Sequence, residues 1–488
     1  MNNIFLNKKV KGLAVFFLII SILHVIYASC VQRGAIADGS LFILSILDKF
    51  SDGNWGFMSA VDCRTRLFVN VMNQLPMNIA YHIFNVDSKY WLSVIYSFPL
   101  FFYPFIFVYF NYALAKRSKR YDIAVLGVVL YSVGILLGIM YAVVEIFLAV
   151  SVSLLLFHYI VAKINYTKWD IAAVIFLTIM QFNSHELVAY VGYMMFLASL
   201  YYAKSEENLD NKKVKYIAGI GSLLASVYLT FWFIFTPNIK EAERFFHDTF
   251  HSFIDMQFHS SLLILLFLYL FLWVLFKKEV FSTKNIITIS LINLIGVAFM
   301  IMHLDIYSSF AFFHYRLWPC IILPVIILYI WLSDVYKIKH SEVFYTNLLA
   351  ITLCTGIVCS IWQLNNSYRF DKIVDRLNAK IDKVNKTFIN PDKDLVKLYN
   401  SQKNMFFYCD TYFADSVLFQ NEVDINSVIM PSKKEGCPSE FSINEDEETF
   451  DVPFYEVSIE SKFWDLRNVA DKLEEQQMIK EEQNNTLE

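Results

Sequence analysis

Between Leu13 and Cys359 one pattern repeats: apolar runs near the length of a bilayer crossing, many of them bounded by clusters of Lys or Arg. A hydrocarbon core of about 30 Å takes roughly 17–25 apolar residues per helix. A chain that is 57% hydrophobic and only 18% charged cannot hide that many such runs in a water-soluble core. The apolar surface needs lipid. A formal net charge of −4, spread thinly along 488 residues, gives no basic patch for nucleic acid and excludes that class.

Apolar runs read against their flanking charges predict spans at 12–29, 91–113, 122–140, 143–162, 171–184, 187–203, 216–235, 260–276, 286–303, 317–335 and 345–362. With the N-terminus inside, the cytoplasmic connections are Lys116 to Arg120, Lys163 to Lys168, Lys204 to Lys215, Lys277 to Lys284 and Lys337 to Lys339. Every one is basic, as the positive-inside rule requires. The expectation is an all-α polytopic membrane bundle of about 11 transmembrane helices in a bacterial inner membrane, with a small α+β C-terminal domain in the periplasm. The boundary falls between 1–362 and 363–488. Leu13 to Ser29, after Lys8, Lys9 and Lys11, is long for a signal-peptide core and reads as a retained anchor. Tyr27-Ala28-Ser29-Cys30 hints at a lipoprotein cleavage site, but Tyr27 is a poor fit where Leu is usual.

This topology puts the loop 30–90, the loop 236–260, several short turns and the tail on the outer side. In the first loop, Leu41 to Leu47 reads as a short helix along the membrane interface, preceded by Asp38 and Gly39. A second helix is expected from about Thr65 to Phe84, with Arg66, Asn70 and Gln74 on one face and a kink or restart at Pro76. In the tail, Phe370, Ile373, Val374, Leu377, Ile381 and Val384 follow a helical repeat continuing the last span. Met405 to Tyr408, Ser427 to Met430 and Val452 to Ile459 read as strands, and the last ~15 residues as a frayed helix or disorder. Cys30, Cys63, Cys409 and Cys437 fall outside the spans. They either bridge as Cys30–Cys63 and Cys409–Cys437 or remain unpaired small residues.

Ionisable residues set against a membrane usually face a polar cavity, and here they gather at the outer face. Asp38 has two readings: a general base that takes the proton of an acceptor hydroxyl, or a helix cap in Asp-Gly-Ser. Arg316, in His314-Tyr315-Arg316-Leu317-Trp318, either pairs with a lipid phosphate or snorkels to headgroups. Glu145 and Glu186 lie in apolar surroundings, as further catalytic carboxylates or as structural partners of Arg66 or Arg316. Arg66, Asn70, Gln74, His185 and His314 are the expected substrate contacts. His247 and His251 have the i, i+4 spacing that brings two imidazoles together, and Asp248 would complete a divalent-metal site. His24, His82, His158 and His303 lie at mixed depths without the pairing that haem ligation needs. No P-loop or dinucleotide fingerprint occurs, so no other cofactor is expected.

This organisation resembles the GT-C superfamily of membrane glycosyltransferases, which use polyprenyl-phosphate-linked sugars. An N-inside first helix, an outer loop with Asp38 and two amphipathic helices, many spans with short outer turns and an outer C-terminal domain carry the resemblance across nearly the whole chain. Many members place paired acids in that loop, whereas Gly39 and Ser40 follow Asp38. The resemblance implies that Asp38 acts as base or metal ligand and that Arg316 engages the lipid phosphate. The partners it implies are a lipid-linked sugar donor, membrane lipids and an envelope glycan, lipid or protein acceptor. Two rivals remain: a secondary transporter, and a non-catalytic envelope assembly subunit docking through the tail.

Overall fold

The computed structural model describes residues 8–35, 38–47, 67–136, 145–182, 184–185, 188–235, 291, 309–338, 341–384, 386–395, 412–420, 422–430, 442–444, 448–452 and 455–485. Among these the chain is predominantly helical, with two small sheets near its C-terminus. The helices are α1 (Lys8–Cys30), α2 (Asp38–Leu47), α3 (Leu67–His82), α4 (Lys89–Ser118), α5 (Tyr121–Val129), α6 (Glu145–Val161), α7 (Lys168–Phe182), α8 (Ala189–Lys204), α9 (Leu209–Phe235), α10 (Ser309–Val335) and α11 (Glu342–Val384). A 3-10 turn, Arg33–Ala35, precedes α2, and a π-helical turn, Leu130–Ile135, extends α5. Among the described residues, five helical segments are long and apolar enough to cross a membrane: Val10–Cys30, Lys89–Ser118, Leu209–Phe231, Trp318–Val335 and Glu342–Val384. The chain is a helical membrane protein. The expected span 260–276, the expected span 286–303 apart from Leu291, and the expected strand at 405–408 lie outside the described residues.

The chain divides into two compact units. One comprises Met1–Tyr27, Asp62–Met72 and Leu100–Asn366. Small residues set its helix packing, as they must where lipid removes the hydrophobic drive between helices. A Cβ on Gly192 of α8 would strike the Ser222 carbonyl and Ser226 hydroxyl of α9, and one on Gly219 of α9 would strike Ser199 of α8. Gly221 is closed in the same way by Thr178 of α7. Leu and Ile exposed on the other faces, such as Leu197, Leu224 and Ile179, are the lipid-facing complement of this inner seam.

Charges at the ends of these helices are paired rather than left to headgroups. Arg117 grips both oxygens of Asp170, at 2.7 Å each. Asp170 and Thr167 cap α7 reciprocally: the Thr167 amide donates to Asp170 (2.8 Å) and the Asp170 amide to Thr167 Oγ1 (3.2 Å). Arg120 donates through Nε and Nη2 to Asp122 and through Nη1 to Asp334 at 2.7 Å. The Tyr202 hydroxyl donates to the same Asp334 carboxylate at 2.6 Å, so one guanidinium joins α5, α8 and α10. The two carboxylates hold the Arg120 cation firmly, raising its pKa against the opposing effect of burial. His158 on α6 has its Nδ1 against Asn111 and its Nε2 against Ser118, both at 3.2 Å, which makes it a satisfied core histidine rather than a haem ligand.

The second unit comprises Ala28–Val61, Asn73–Pro99 and Ser367–Glu488. The C-terminal region thus shares its unit with much of the first predicted loop. α11 runs unbroken for 43 residues, as the repeat to Val384 predicts. Beyond it, β1 (Phe388–Ile389) pairs in parallel with β2 (Val428–Ile429), and β3 (Ser442–Asn444), β4 (Thr449–Val452) and β5 (Tyr455–Ser458) form an antiparallel meander. Helices α12 (Tyr412–Phe419) and α13 (Arg467–Asn485), with a single helical turn at Pro391–Asp394, complete the described elements. The Phe413 and Phe450 rings, 5.6 Å apart, join α12 to β4. The buried Trp464 indole donates to the Ser458 carbonyl at 2.9 Å. α13 is helical through Asn485, yet its packing residues are Val469, Ala470 and Leu473 only, and every described side chain after Leu473 is exposed.

Candidate functional site

The first loop is built differently from its expectation. α2 does not lie along an interface: Phe42, Ile43, Leu44, Ile46 and Leu47 are all buried, each at 2% exposure or less. The reason is legible afterwards. Between Leu41 and Leu47 only Ser45 is polar, so this short helix has almost no polar side to offer headgroups and is enclosed by protein. It packs on the Arg33–Ala35 turn, on α12 and on β5.

That enclosure fixes the start of α2, where Asp38 stands in the first helical turn. A Cβ on Gly39 would collide with the Gly34 carbonyl oxygen and sit 3.2 Å from the Tyr96 ring. Only glycine allows the helix to approach the turn this closely. The turn is pinned in its own right: the Gly34 amide donates to Ser97 Oγ at 3.0 Å, and Arg33 Nη1 donates to Ser367 Oγ at 3.1 Å. Arg33 is fully buried, and burial pushes its guanidinium down to about 9, which still leaves it charged at neutral pH. An acidic residue therefore opens a helix seated on a turn that carries a buried cation. Gly39→Ala is expected to destabilise the protein by about 1–3 kcal/mol through overpacking, read as a lower thermal midpoint in detergent; an unchanged midpoint would refute the close approach.

Two further contacts brace this seat. Lys89 Nζ, at the start of α4, donates to the carbonyls of Val417 (3.3 Å), Gln420 (2.7 Å) and Glu422 (3.2 Å), placing a cation at the negative C-terminal end of α12. The adjacent Tyr90 hydroxyl donates to the Cys30 carbonyl at 3.0 Å, capping α1. Cys30 itself is an exposed free thiol, so the Cys30–Cys63 bridge is not formed. Cys30 ends a helix already tied down by Tyr90, and that fixing needs no disulfide. Cys63, Cys409 and Cys437 lie outside the described residues.

On α3 the polar stripe is buried: Asn70, Asn73, Gln74 and Asn78 recur at helical spacing and all lie within the protein. α3 runs through Pro76 without restarting. The carbonyl left free by the missing proline amide is that of Met72, one turn back, and it accepts from the Tyr103 hydroxyl at 3.3 Å.

The remaining expected site residues distribute as follows. Arg316 and His314 lie within α10 and Glu145 opens α6, but their side chains, like that of Asp38, are outside what is described. Asp38 belongs to one compact unit and Arg316 to the other. Asn70 and Gln74 are buried on α3, and His185 is buried at a short non-helical break before α8. Arg66, Glu186, His247, Asp248 and His251 lie outside the described residues. Among the described residues no group of three or more His, Cys, Asp or Glu is placed to hold a metal ion.

Arg33, Lys89 and Asn73 were missed by sequence reasoning, although each carried a signal. Arg33 is a charge three residues past a span, Lys89 opens one, and Asn73 completes the Asn70–Gln74 stripe at i+3. No family model, characterised protein or solved structure matches the chain significantly.

Proposed function

We propose that this chain is a polytopic inner-membrane glycosyltransferase of the GT-C kind, with about 11 spans and its N-terminus in the cytoplasm. It transfers a sugar from a polyprenyl-phosphate donor to an envelope acceptor at the periplasmic face. The observation that carries the reading is the seat of α2: Asp38 begins a helix locked by Gly39 against the pinned Arg33–Ala35 turn. A general base must be held within a fraction of an ångström of its working position, and a buried, close-packed helix start does that better than a loop.

In this mechanism the acceptor oxygen forms a bond to the anomeric carbon while the bond from that carbon to the donor phosphate breaks. Asp38 takes the acceptor's proton, and the lipid phosphate leaves with the electron pair, stabilised by Arg316. The energy is already stored in the donor, which agrees with a sequence lacking a nucleotide motif. Glu145 and Glu186 supply further carboxylates at the same face, and Asn70, Gln74, His185, His314 and Arg66 contact substrate.

Arg316→Ala is expected to reduce transfer from a radiolabelled lipid-linked donor in membranes by about 10²–10³-fold, at unchanged protein abundance. Transfer at the wild-type rate would remove Arg316 from the reaction. A secondary transporter is the second reading, favoured by the π-helical turn Leu130–Ile135 within an apolar helical segment. Solute uptake by proteoliposomes, with no donor consumed, would support it instead.

A further inference from the structure

We infer that the corner between α3 and α4, with Ile83 and Phe84 at its tip, inserts into the apolar region of the membrane and seats the C-terminal region on the lipid surface. The tip is built outward. Past His82 the chain reverses tightly: the Val86 amide donates to the Ala80 carbonyl at 3.0 Å, and Asn85 takes the left-handed conformation (φ 49°) that asparagine tolerates at a helix end. Turns that face water carry polar or small residues. This one presents Ile83 at 57% exposure and Phe84 at 72%.

What covers the tip follows from where it lies. α4 is one of the segments apolar enough to cross the membrane, and it begins at Lys89, close behind the corner. The Tyr90 hydroxyl donates to the carbonyl of Cys30, the last residue of the membrane-crossing α1. One span therefore ends and another begins at the same level, and that level is a membrane boundary. Trp91 is 56% exposed beside Tyr90, their rings 5.3 Å apart. Phe98, two turns farther along the same side of α4, is exposed as well. Exposed Tyr and Trp at the start of a span form the aromatic belt with which it meets the headgroups. Ile83 and Phe84 extend this exposed apolar surface past the start of the span.

The corner carries the tail with it. Asp87 pairs with Lys462 Nζ at 2.8 Å, the Tyr81 ring lies 5.9 Å from that of Phe463, and Lys89 closes the carbonyl end of α12. All of these residues belong to one compact unit. The same contacts commit the charges of Lys89 and Lys462 to protein partners, so the attraction to lipid here is apolar burial rather than headgroup charge. The inference is independent of Asp38 and of sugar transfer.

The test places a fluorescent amino acid by codon reassignment in place of Phe84, and in a second chain in place of Ile83, with the full-length protein in phosphatidylcholine nanodiscs. Both side chains are exposed, so the probe displaces no packed neighbour. Met478 on the charged helix α13, 60% exposed, supplies the aqueous comparison. A nitroxide carried high on the lipid acyl chains is expected to quench both corner probes strongly, as for side chains about 5–10 Å into the headgroup boundary, and iodide quenching should be lost there. At position 478 the pattern should be the reverse. Added phosphatidylglycerol should change neither result. Iodide quenching at the corner equal to that at position 478 would overturn the proposal. Shielding from iodide without nitroxide quenching would overturn it as well, by showing that a second copy or another protein covers the corner. So would nitroxide quenching confined to discs containing phosphatidylglycerol, which would make headgroup charge the attraction.

Discussion

An Asp38→Asn variant is expected to lose sugar transfer from a lipid-linked donor by about 10²–10⁴-fold, the usual contribution of a positioned general base. Its folded yield and thermal midpoint should stay at wild-type values. Asparagine preserves the shape of the side chain and its capacity to accept a hydrogen bond in the first turn of α2, but cannot take a proton from the acceptor. Asp38→Glu separates chemistry from geometry. It keeps the carboxylate and shifts it by roughly 1 Å, which at a precisely built site costs about 10²-fold. An order of asparagine below glutamate below wild type would identify a base held in place by the α2 seat. Activity and midpoint kept in Asp38→Asn but lowered in Asp38→Glu would identify a helix cap, which asparagine fills as well as aspartate does.

The largest stability effect is expected at Arg120. Replacing it with Met strips the guanidinium from Asp122 and Asp334 together and leaves two partly buried carboxylates uncompensated. Removing one member of such a buried network costs about 3–5 kcal/mol. Asp334 retains the Tyr202 hydroxyl and Asp122 has some solvent, so the lower end of that range applies. The midpoint in detergent should fall by several degrees. A double variant, Arg120→Met with Asp334→Asn, should recover part of the loss, because the orphaned charge is then gone. A single variant as stable as wild type would show that solvent screens this cluster completely.

Helices were legible because each apolar run announces its length and each basic cluster its end. The reading of spans at 91–113, 171–184 and 187–203 falls within a few residues of α4, α7 and α8. The continuous α11 was legible for the same reason, its repeat persisting from the last span to Val384. What stayed hidden was direction. Leu41 to Leu47 is apolar but for Ser45, and periodicity alone does not distinguish a helix enclosed by protein from one lying on lipid. Asn70 and Gln74 share a face, but a polar stripe points outward in water and inward where the other faces meet an apolar surround. The seat of Asp38 was hidden because it depends on Gly34, Gly39, Ser97 and Ser367, small residues far apart in the sequence that mark nothing until folding brings them together. β1 and β3 were missed because strands of two and three residues have no period to read.

The most direct test is release of free polyprenyl phosphate from a radiolabelled polyprenyl-phosphate sugar by the purified chain, with crude envelope supplied as acceptor. The account predicts release exceeding one equivalent per chain, label appearing in the acceptor fraction, and loss of both in Asp38→Asn. A donor that stays intact, or one consumed equally by wild type and Asp38→Asn, would contradict it.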